Sequence, residues 1–157
     1  MGDNMTFTKK ELIVLSHLRQ NARKSLTNIS RRTGVPVSTL FDKLKKYEKG
    51  LIKKHTILLN FNKLGFDVRV KTLLKVTKDN KENLMEHLMK HQNVNSISSV
   101  TNGFDFIIET VFRNLKDMQN FSSNLDQFQI EKKEEFFIVE EFKNESFLSQ
   151  PEFVELV

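Results

Sequence analysis

The sequence contains no cysteine and no long apolar run, and each absence excludes a class of protein. None of the 157 residues is Cys, so disulfide bonds, thiolate metal sites and cysteine nucleophiles are excluded. No apolar stretch approaches the roughly 18 residues that a membrane-spanning helix needs. The opening segment MGDNMTFTKKEL also lacks the apolar stretch of a secretory signal. We therefore expect a folded protein in the cytoplasm, with no membrane partner.

The positive charge of the chain is concentrated in its first third. Residues 1–55 hold 13 Lys and Arg against 4 Asp and Glu, a net charge of +9, whereas residues 56–157 have a net charge of −4. Such asymmetry favours a nucleic-acid-binding module joined to an acidic partner module. A chance division of surface charge is the alternative interpretation.

Two short helices are predicted at the start of the basic third. KKELIVLSHLRQN places Leu12, Leu15 and Leu18 at helical spacing, and Ile13 and Val14 widen the apolar stripe. A second helix is predicted in SLTNISRRTG, where the initial Ser is a favourable N-cap and the final Gly suits a left-handed exit.

A third helix, in GVPVSTLFDKLKKYEKGLI, has two very different faces. Apolar residues recur at i, i+3, i+4, i+7 and i+10, which predicts a buried stripe of Val37, Leu40, Phe41, Leu44 and Tyr47. The opposite face carries two small hydroxyls and four Lys against one Asp, a composition that suits a polyanion: Ser38, Thr39, Asp42, Lys43, Lys45, Lys46 and Lys49. Three helices with a tight turn before the third make a helix-turn-helix.

The remainder of the chain changes its hydrophobic period. LIKKHTILL, residues 51–59, predicts a strand, and DVRVKTLLKVT alternates as a half-buried strand does. Two further helices and three further strands are predicted in KENLMEHLMKHQ, VNSISSVT, FDFIIETVF, NLKDMQNFSSNLDQF and EEFFIVEEF. From DVRVKTLLKVT onward the order is β-α-β-β-α-β, the ferredoxin-like split motif.

The frame of residues 34–65 resembles transcription regulators of the Lrp/AsnC (feast/famine) family. The family's recognition helix has the form SxxxVxxRVKRLEExGVI and is followed by a strand of the form xxYTAxxDxxxLG. GVPVSTLFDKLKKYEKGLIKKHTILLNFNKLG follows that frame without a gap. The resemblance implies an α+β chain in which an N-terminal winged helix-turn-helix is joined by a strand and linker to a C-terminal ferredoxin-like, RAM-type domain.

The expected domains follow from this frame. They are a helix-turn-helix DNA-binding domain over 1–55, a strand and linker over 56–66, a ferredoxin-like effector and oligomerisation domain over 67–144, and a tail over 145–157. The resemblance further implies sequence-specific regulation of transcription, with no enzymatic activity and no cofactor. The implied partners are double-stranded DNA, a second copy of the chain within a dimer, tetramer or octamer, and an amino acid or another small effector.

The DNA-contacting residues are carried over position by position. Ser38 and Thr39 begin the base-facing surface, Asp42 and Lys43 stand where the family often has two Arg, and Lys45 and Lys46 belong to the same face. Asp42 either reads a cytosine or pairs with a Lys of its own helix. Phosphate contacts are expected from four further cations, which are Arg23, Lys24, Arg31 and Arg32.

The family's effector loop, GDYD-like in sequence, corresponds here to TNGFDF. The candidate effector residues are therefore Thr101, Asn102, Gly103, Phe104 and Asp105. Asn102 stands where Gly is expected and would intrude on the space of a ligand carboxylate, so we expect a weak or altered response to common amino acids. A plain hairpin turn without ligand is the alternative.

Two other functions have some support in the sequence. His87 and His91 are spaced i, i+4 as a zinc pair would be, but no third ligand is evident and a solvated helix face explains them equally. Sirohaem decarboxylases resemble the family in both domains, and a sensor or adaptor without its own DNA site would also share the fold. The Lys-rich face of the third helix favours DNA binding over both.

Overall fold

A computed structural model describes residues 6–156, with the side chains of 155 and 156 excepted. The first five residues of the expected DNA-binding domain and opening segment, and the last residue of the expected tail, therefore lie outside the described part. The chain divides into two compact units. Of the described residues, 6–58 and 142–156 form the first, here called the helical unit, and residues 59–141 form the second, the sheet unit.

The helical unit contains α1 (Lys9–Gln20), α2 (Leu26–Thr33) and α3 (Val37–Tyr47). The predicted N-cap of α2 is confirmed, because the Ser25 hydroxyl accepts a hydrogen bond from the Asn28 N–H at 3.2 Å. Gly34 ends the helix at φ 70°, which is the left-handed exit that the sequence predicts. The caps at Ser25 and Gly34 set the two ends of α2, and the turn at Gly34 leads into α3.

The core of the helical unit is smaller than the apolar stripes predict. Val14, Ile29 and Leu40 are its fully buried centre. On α3, Leu40 and Tyr47 are buried as predicted, but Val37 and Phe41 are 42% and 49% exposed. The prediction that the whole stripe packs inward is wrong, because two short partner helices cover only a narrow part of α3.

The predicted strand over LIKKHTILL is also wrong. After α3, the N–H groups of Leu51 and Ile52 both donate to the Tyr47 carbonyl, and no strand is assigned between α3 and residue 68. The side chains of Ile57, Leu58 and Leu59 are more than half exposed. A strand needs a hydrogen-bonded partner, and the described residues offer none to this segment. Among the described residues, this segment therefore does not form a strand of the expected wing.

The tail, residues 145–156, belongs to the helical unit because it contacts α1. Arg19 of α1 donates from Nε to the Phe147 carbonyl at 3.0 Å and from Nη2 to the Glu145 carbonyl at 3.1 Å. Its Nη1 also pairs with the Glu145 carboxylate at 3.1 Å. Val154, in a short 3-10 segment packed on α1, is 3% exposed. No element was predicted in this tail, and its contacts attach residues 145–154 to α1.

The sheet unit has the predicted element order. It comprises β1 (Val68–Val76), α4 (Lys81–Lys90), β2 (Val94–Ser99), β3 (Phe106–Phe112), α5 (Leu115–Asn124) and β4 (Ile130–Phe137). The strands form one antiparallel sheet in the order β2-β3-β1-β4. This is the α+β arrangement expected of a ferredoxin-like split motif.

Alternation along β1 explains which face of the sheet is covered. Val70, Leu74 and Val76 point into the core and are at most 4% exposed. Leu84 and Leu88 of α4 and Phe121 of α5 cover them. The opposite face carries no helix of the sheet unit. β4 begins four residues earlier and ends sooner than EEFFIVEEF predicts, because its first residues pair with the end of β1 across a register shift.

Candidate nucleic-acid interface

The outer face of α3 carries the residues that the sequence assigns to base contacts. Helical spacing places them opposite the buried Leu40 and Tyr47. All are exposed: Ser38, Thr39, Asp42, Lys45 and Lys46. The Lys45 ammonium lies 4.6 Å from the centroid of the exposed Phe41 ring. Within residues 6–156, neither Asp42 nor Lys46 makes an ion pair, so the expected alternative of an Asp42–Lys pair within α3 is not formed.

Lys43 differs from its neighbours on α3. Its ammonium lies 2.6 Å from Glu11 Oε1 of α1, and the Tyr47 hydroxyl donates to the same oxygen at 3.1 Å. Glu11 also closes a capping box with Thr8. Hydrogen bonds from Lys43 and from the Thr8 N–H hold the pKa of Glu11 at about 2, against an ordinary 4.5. The carboxylate is thus ionised at any physiological pH and braces α1 against α3.

Burial and the Glu11 carboxylate together raise the pKa of the Tyr47 hydroxyl well above its usual range. The phenol therefore stays protonated and acts as a hydrogen-bond donor. Sequence reasoning missed this brace, although the Thr-x-x-Glu spacing of residues 8–11 signals a capping box. What the spacing could not reveal is the partner on α3, which lies 32 positions along the chain.

The four predicted phosphate contacts fall into two groups. Arg23, Arg31 and Arg32 are exposed. Arg32 Nε donates to the Asn28 amide at 3.2 Å, and none of the three pairs with a carboxylate among the described residues. Lys24 is half-buried, and its ammonium lies 3.2 Å from His17 Nδ1 and 3.1 Å from Gln20 Oε1.

The partner of Lys24 is a neutral imidazole. Burial lowers the pKa of His17, and the nearby charges of Lys24 and Arg32 lower it further, against a weaker opposing effect of Glu152. The Nδ1 of a neutral ring can accept a hydrogen bond from the Lys24 ammonium. The interaction therefore leaves the positive charge of Lys24 uncompensated, although it restricts the position of its side chain.

The candidate effector loop joins β2 to β3 in a tight turn. Asn102 and Gly103 both have left-handed backbone conformations, with φ 66° and 88°. Asp105 is held internally, because its carboxylate accepts from the Val76 N–H at 3.1 Å and pairs with Lys81 at 2.7 Å. These contacts lower its pKa. Lys132 lies 4.3 Å from the Phe104 ring centroid. Thr101 is exposed.

The candidate zinc pair, His87 and His91, has no third metal ligand nearby among the described residues. The rings of His87 and His91 lie 5.7 Å apart, and they contact Phe128 and Phe121 respectively. Among residues 6–156, no three His, Asp or Glu side chains are grouped in a way that could hold a metal ion. In the same part of the chain, no helix is both long and apolar enough to cross a membrane.

Most of the sheet unit and the start of the tail match the model of a known protein family. The family model of the Lrp/AsnC ligand binding domain matches residues 68–147, which is half of the chain. The chain belongs to the Lrp/AsnC family. Among curated relatives, an uncharacterised HTH-type transcriptional regulator of Pyrococcus horikoshii is 27% identical over 139 residues, which cover 88% of this chain and 94% of the relative. The transcriptional regulator AzlB of Bacillus subtilis is 27% identical over 112 residues, with 69% and 71% covered.

Solved structures of the family share the fold. A transcriptional regulator of Neisseria meningitidis in complex with L-Met superposes with a TM-score of 0.82 at 20% identity, covering 88% of this chain and 94% of that one. AsnC of E. coli gives 0.80 at 18% identity, with 92% and 99% covered. These relatives and the Neisseria meningitidis structure are named transcriptional regulators.

Proposed function

We propose that this protein is a sequence-specific DNA-binding transcriptional regulator whose α3 enters the major groove. The observation that carries the proposal is the set of exposed cations on α3, on α2 and in the turn before α2, where Lys46, Arg31 and Arg23 have no carboxylate partner among the described residues. Phosphates would supply the missing negative charge. The names of the curated relatives, which are HTH-type transcriptional regulators, support the same conclusion.

Different residues of this face have different roles in the proposal. Ser38 and Thr39 contact base edges from the N-terminal end of α3, where a recognition helix reads sequence. Asp42 is free to accept from a cytosine amino group. Lys45, Lys46 and the cations of α2 neutralise phosphates. Lys43 keeps α3 in place through Glu11, so its contribution to DNA contact is secondary.

We further propose that the working unit is a dimer formed through the uncovered side of the sheet unit. Phe136 pairs with Lys71 on the face that carries no helix, and it is 51% exposed. Phe137, whose β1 partner Val70 lies in the core, alternates to the other face and is 50% exposed, and Val139, beyond the strand, is 97% exposed. Exposed apolar side chains on this segment favour burial against another surface. A two-fold axis would then present two copies of α3 to adjacent major grooves, with assembly into tetramers or octamers beyond it.

The effector response is proposed to be weak at the loop of residues 101–105. Asp105 is engaged by Lys81 and by the backbone of β1, and the resemblance puts Asn102 where the family has a glycine, so that its side chain would intrude on the space of a ligand. We therefore assign this loop to an assembly contact.

Selection of bound duplexes from a random pool tests the DNA-binding proposal. We expect enrichment of a partly palindromic site with half-sites about one helical turn, ~34 Å, apart. Ser38→Ala with Thr39→Ala should change the enriched sequence, whereas Lys46→Gln should weaken all sequences alike. A pool without any enriched sequence would contradict the proposal.

Light scattering tests the dimer. We expect the mass of two chains at micromolar concentration and the mass of one chain for Phe136→Lys. The matched control is Phe153→Lys, which changes an equally exposed aromatic residue of the tail and should leave the dimer intact. A monomeric wild-type protein would contradict this part of the proposal.

A further inference from the structure

Two apolar side chains of α3 lie exposed beside the residues that the proposed function assigns to base contacts. Val37 is 42% and Phe41 is 49% exposed, and neither belongs to the buried core of the helical unit. The two residues are spaced i, i+4, which places both side chains along one side of α3. Part of the apolar surface of α3 is therefore left outside the core, in the N-terminal half of the helix.

Phe41 is continuous with the polar face of α3. Ser38 precedes it by three positions and Lys45 follows it by four, so both lie next to it on the helix surface. The Lys45 ammonium lies 4.6 Å from the centroid of the Phe41 ring, a cation–π contact that restricts the orientation of both side chains. A polyanion that reaches Lys45 therefore also reaches Phe41.

The charge around Phe41 indicates what kind of partner covers it. Lys45 and Lys46 are both exposed on α3, and neither pairs with a carboxylate among residues 6–156. An apolar protein surface would bury these ammonium groups without neutralising them, which costs free energy. A DNA duplex supplies phosphates for the ammonium groups and, on the base edges of its major groove, one apolar group for the ring. That group is the C5-methyl of thymine.

Phe41 also lies in the part of α3 that suits base contacts. Recognition helices touch base edges with residues near their N-terminal end. Val37 is the first residue of α3 and Phe41 follows it by one helical turn, whereas Tyr47 is the last. The apolar pair thus flanks Ser38 in the same turn of the helix.

We propose that Phe41, together with Val37, binds the C5-methyl group of one thymine in each half-site of the bound DNA. This inference rests on the proposed DNA binding, and it adds the base and the chemical group that are recognised. Because the contact is apolar, it distinguishes bases by the methyl group and not by a hydrogen bond. Thymine and 5-methylcytosine both carry this methyl, whereas uracil and cytosine lack it. Phe41 is then a specificity-determining residue beside Ser38 and Asp42.

Deoxyuridine substitution in the duplex that is enriched from the random pool tests the contact. Uracil keeps the hydrogen-bonding groups of thymine and lacks only its C5-methyl, and each thymine of a half-site is replaced in turn. Loss of the methyl that Phe41 contacts should weaken binding of the wild-type protein about fourfold, the value for one buried methyl group. Replacing the symmetry-related thymine as well should weaken binding about fifteenfold in all. This series uses the unaltered chain, so it does not depend on the folding of any variant.

Variants of the protein assign the methyl contact to Phe41. Phe41→Ala should bind the thymine and uracil duplexes with equal affinity at that position, because the side chain that distinguishes them is gone. Phe153→Ala, the matched control, removes an exposed aromatic side chain of the tail and should keep the difference of about fourfold. With the same base pair changed to cytosine–guanine, 5-methylation of the cytosine should tighten binding of the wild type about fourfold and leave Phe41→Ala unaffected.

Results that contradict the methyl contact differ from those that contradict DNA binding. If no sequence is enriched from the pool, both proposals fail. If a sequence is enriched but no uracil replacement weakens its binding, or if Phe41→Ala keeps the wild-type difference, only the methyl contact fails. Light scattering adds a further check, because a mass of one chain for Phe41→Ala and of two chains for the wild type would place Phe41 against a second subunit and overturn the contact with thymine.

Discussion

The two units of this protein differ in how many of their Lys and Arg side chains are paired with carboxylates. In the sheet unit, Arg69 pairs with Glu109 at 3.1 Å and with Glu141 at 2.8 Å. Further pairs there are Lys75–Glu131, Lys81–Asp105, Lys90–Glu86, Lys132–Glu134 and Lys133–Asp126. In the helical unit, Lys43 and Arg19 are paired, whereas the exposed cations of α2 and the outer face of α3 are not. Much of the positive charge in the sheet unit is paired within the fold, whereas the unpaired charge on α2 and α3 is available to a partner.

Paired and unpaired cations have different roles, which the net charge of the chain does not distinguish. Exposed ion pairs contribute at most about 1 kcal/mol each and neutralise their own field. Unpaired cations on one face instead add their potentials, which attracts a polyanion and makes binding depend on salt. Substitutions in the sheet unit should therefore change stability, and substitutions on the face of α3 should change binding.

The largest effect on stability is expected from Arg69→Met. Glu109 is only 9% exposed, and without the guanidinium its carboxylate keeps the Asn95 amide at 2.9 Å and the Lys71 ammonium at 4.0 Å. Breaking the pair should therefore cost about 3 kcal/mol, the lower end of the range for a buried ion pair. Urea denaturation should show this loss, and adding Glu109→Gln should recover much of it because the uncompensated charge is gone. A loss below about 1 kcal/mol would mean that the pairs of the sheet unit are as weak as surface pairs.

Glu11→Gln should cost about 1.5–3 kcal/mol at pH 7, the range for hydrogen bonds to a charged group. Because the folded protein holds the pKa of Glu11 at about 2, its contribution is complete above pH 4.5 and declines as the pH falls to about 2. Thermal melts of the wild type and the variant should therefore converge at acid pH. Glu48→Gln, which alters a half-exposed carboxylate at the end of α3, is the control and should have little effect. A difference that persists at pH 2 would contradict the assignment.

Arg19→Gln should destabilise the helical unit by about 1 kcal/mol, because its hydrogen bonds to the tail are partly exposed. Hydrogen exchange should accelerate in residues 145–154 and remain unchanged in the sheet. Lys10→Gln, at another exposed position of α1, should alter neither. Unchanged exchange in the tail would show that Arg19 does not hold it.

How far the sequence predicts this molecule depends on the range of the interactions involved. Local signals succeeded: the Ser25 cap, the Gly34 exit and the alternation along β1 each depend on residues close in the chain. The strand over residues 51–59 was wrong because a strand requires a partner that its own residues do not specify. The Glu11–Lys43 brace and the attachment of Arg19 to the tail depend on contacts across 32 and 126 positions.

The salt dependence of DNA affinity in Lys45→Gln combined with Lys46→Gln tests the central claim most directly. Both residues are exposed, so the double variant should keep its stability within about 0.5 kcal/mol of the wild type. Its slope of log affinity against log salt should be shallower by about 0.9 for each lost phosphate contact, that is, by nearly 2. The control, Lys78→Gln with Lys116→Gln, removes the same charge from the sheet unit and should keep the wild-type slope. An unchanged slope in the α3 variant, or an equal change in the control, would contradict the account.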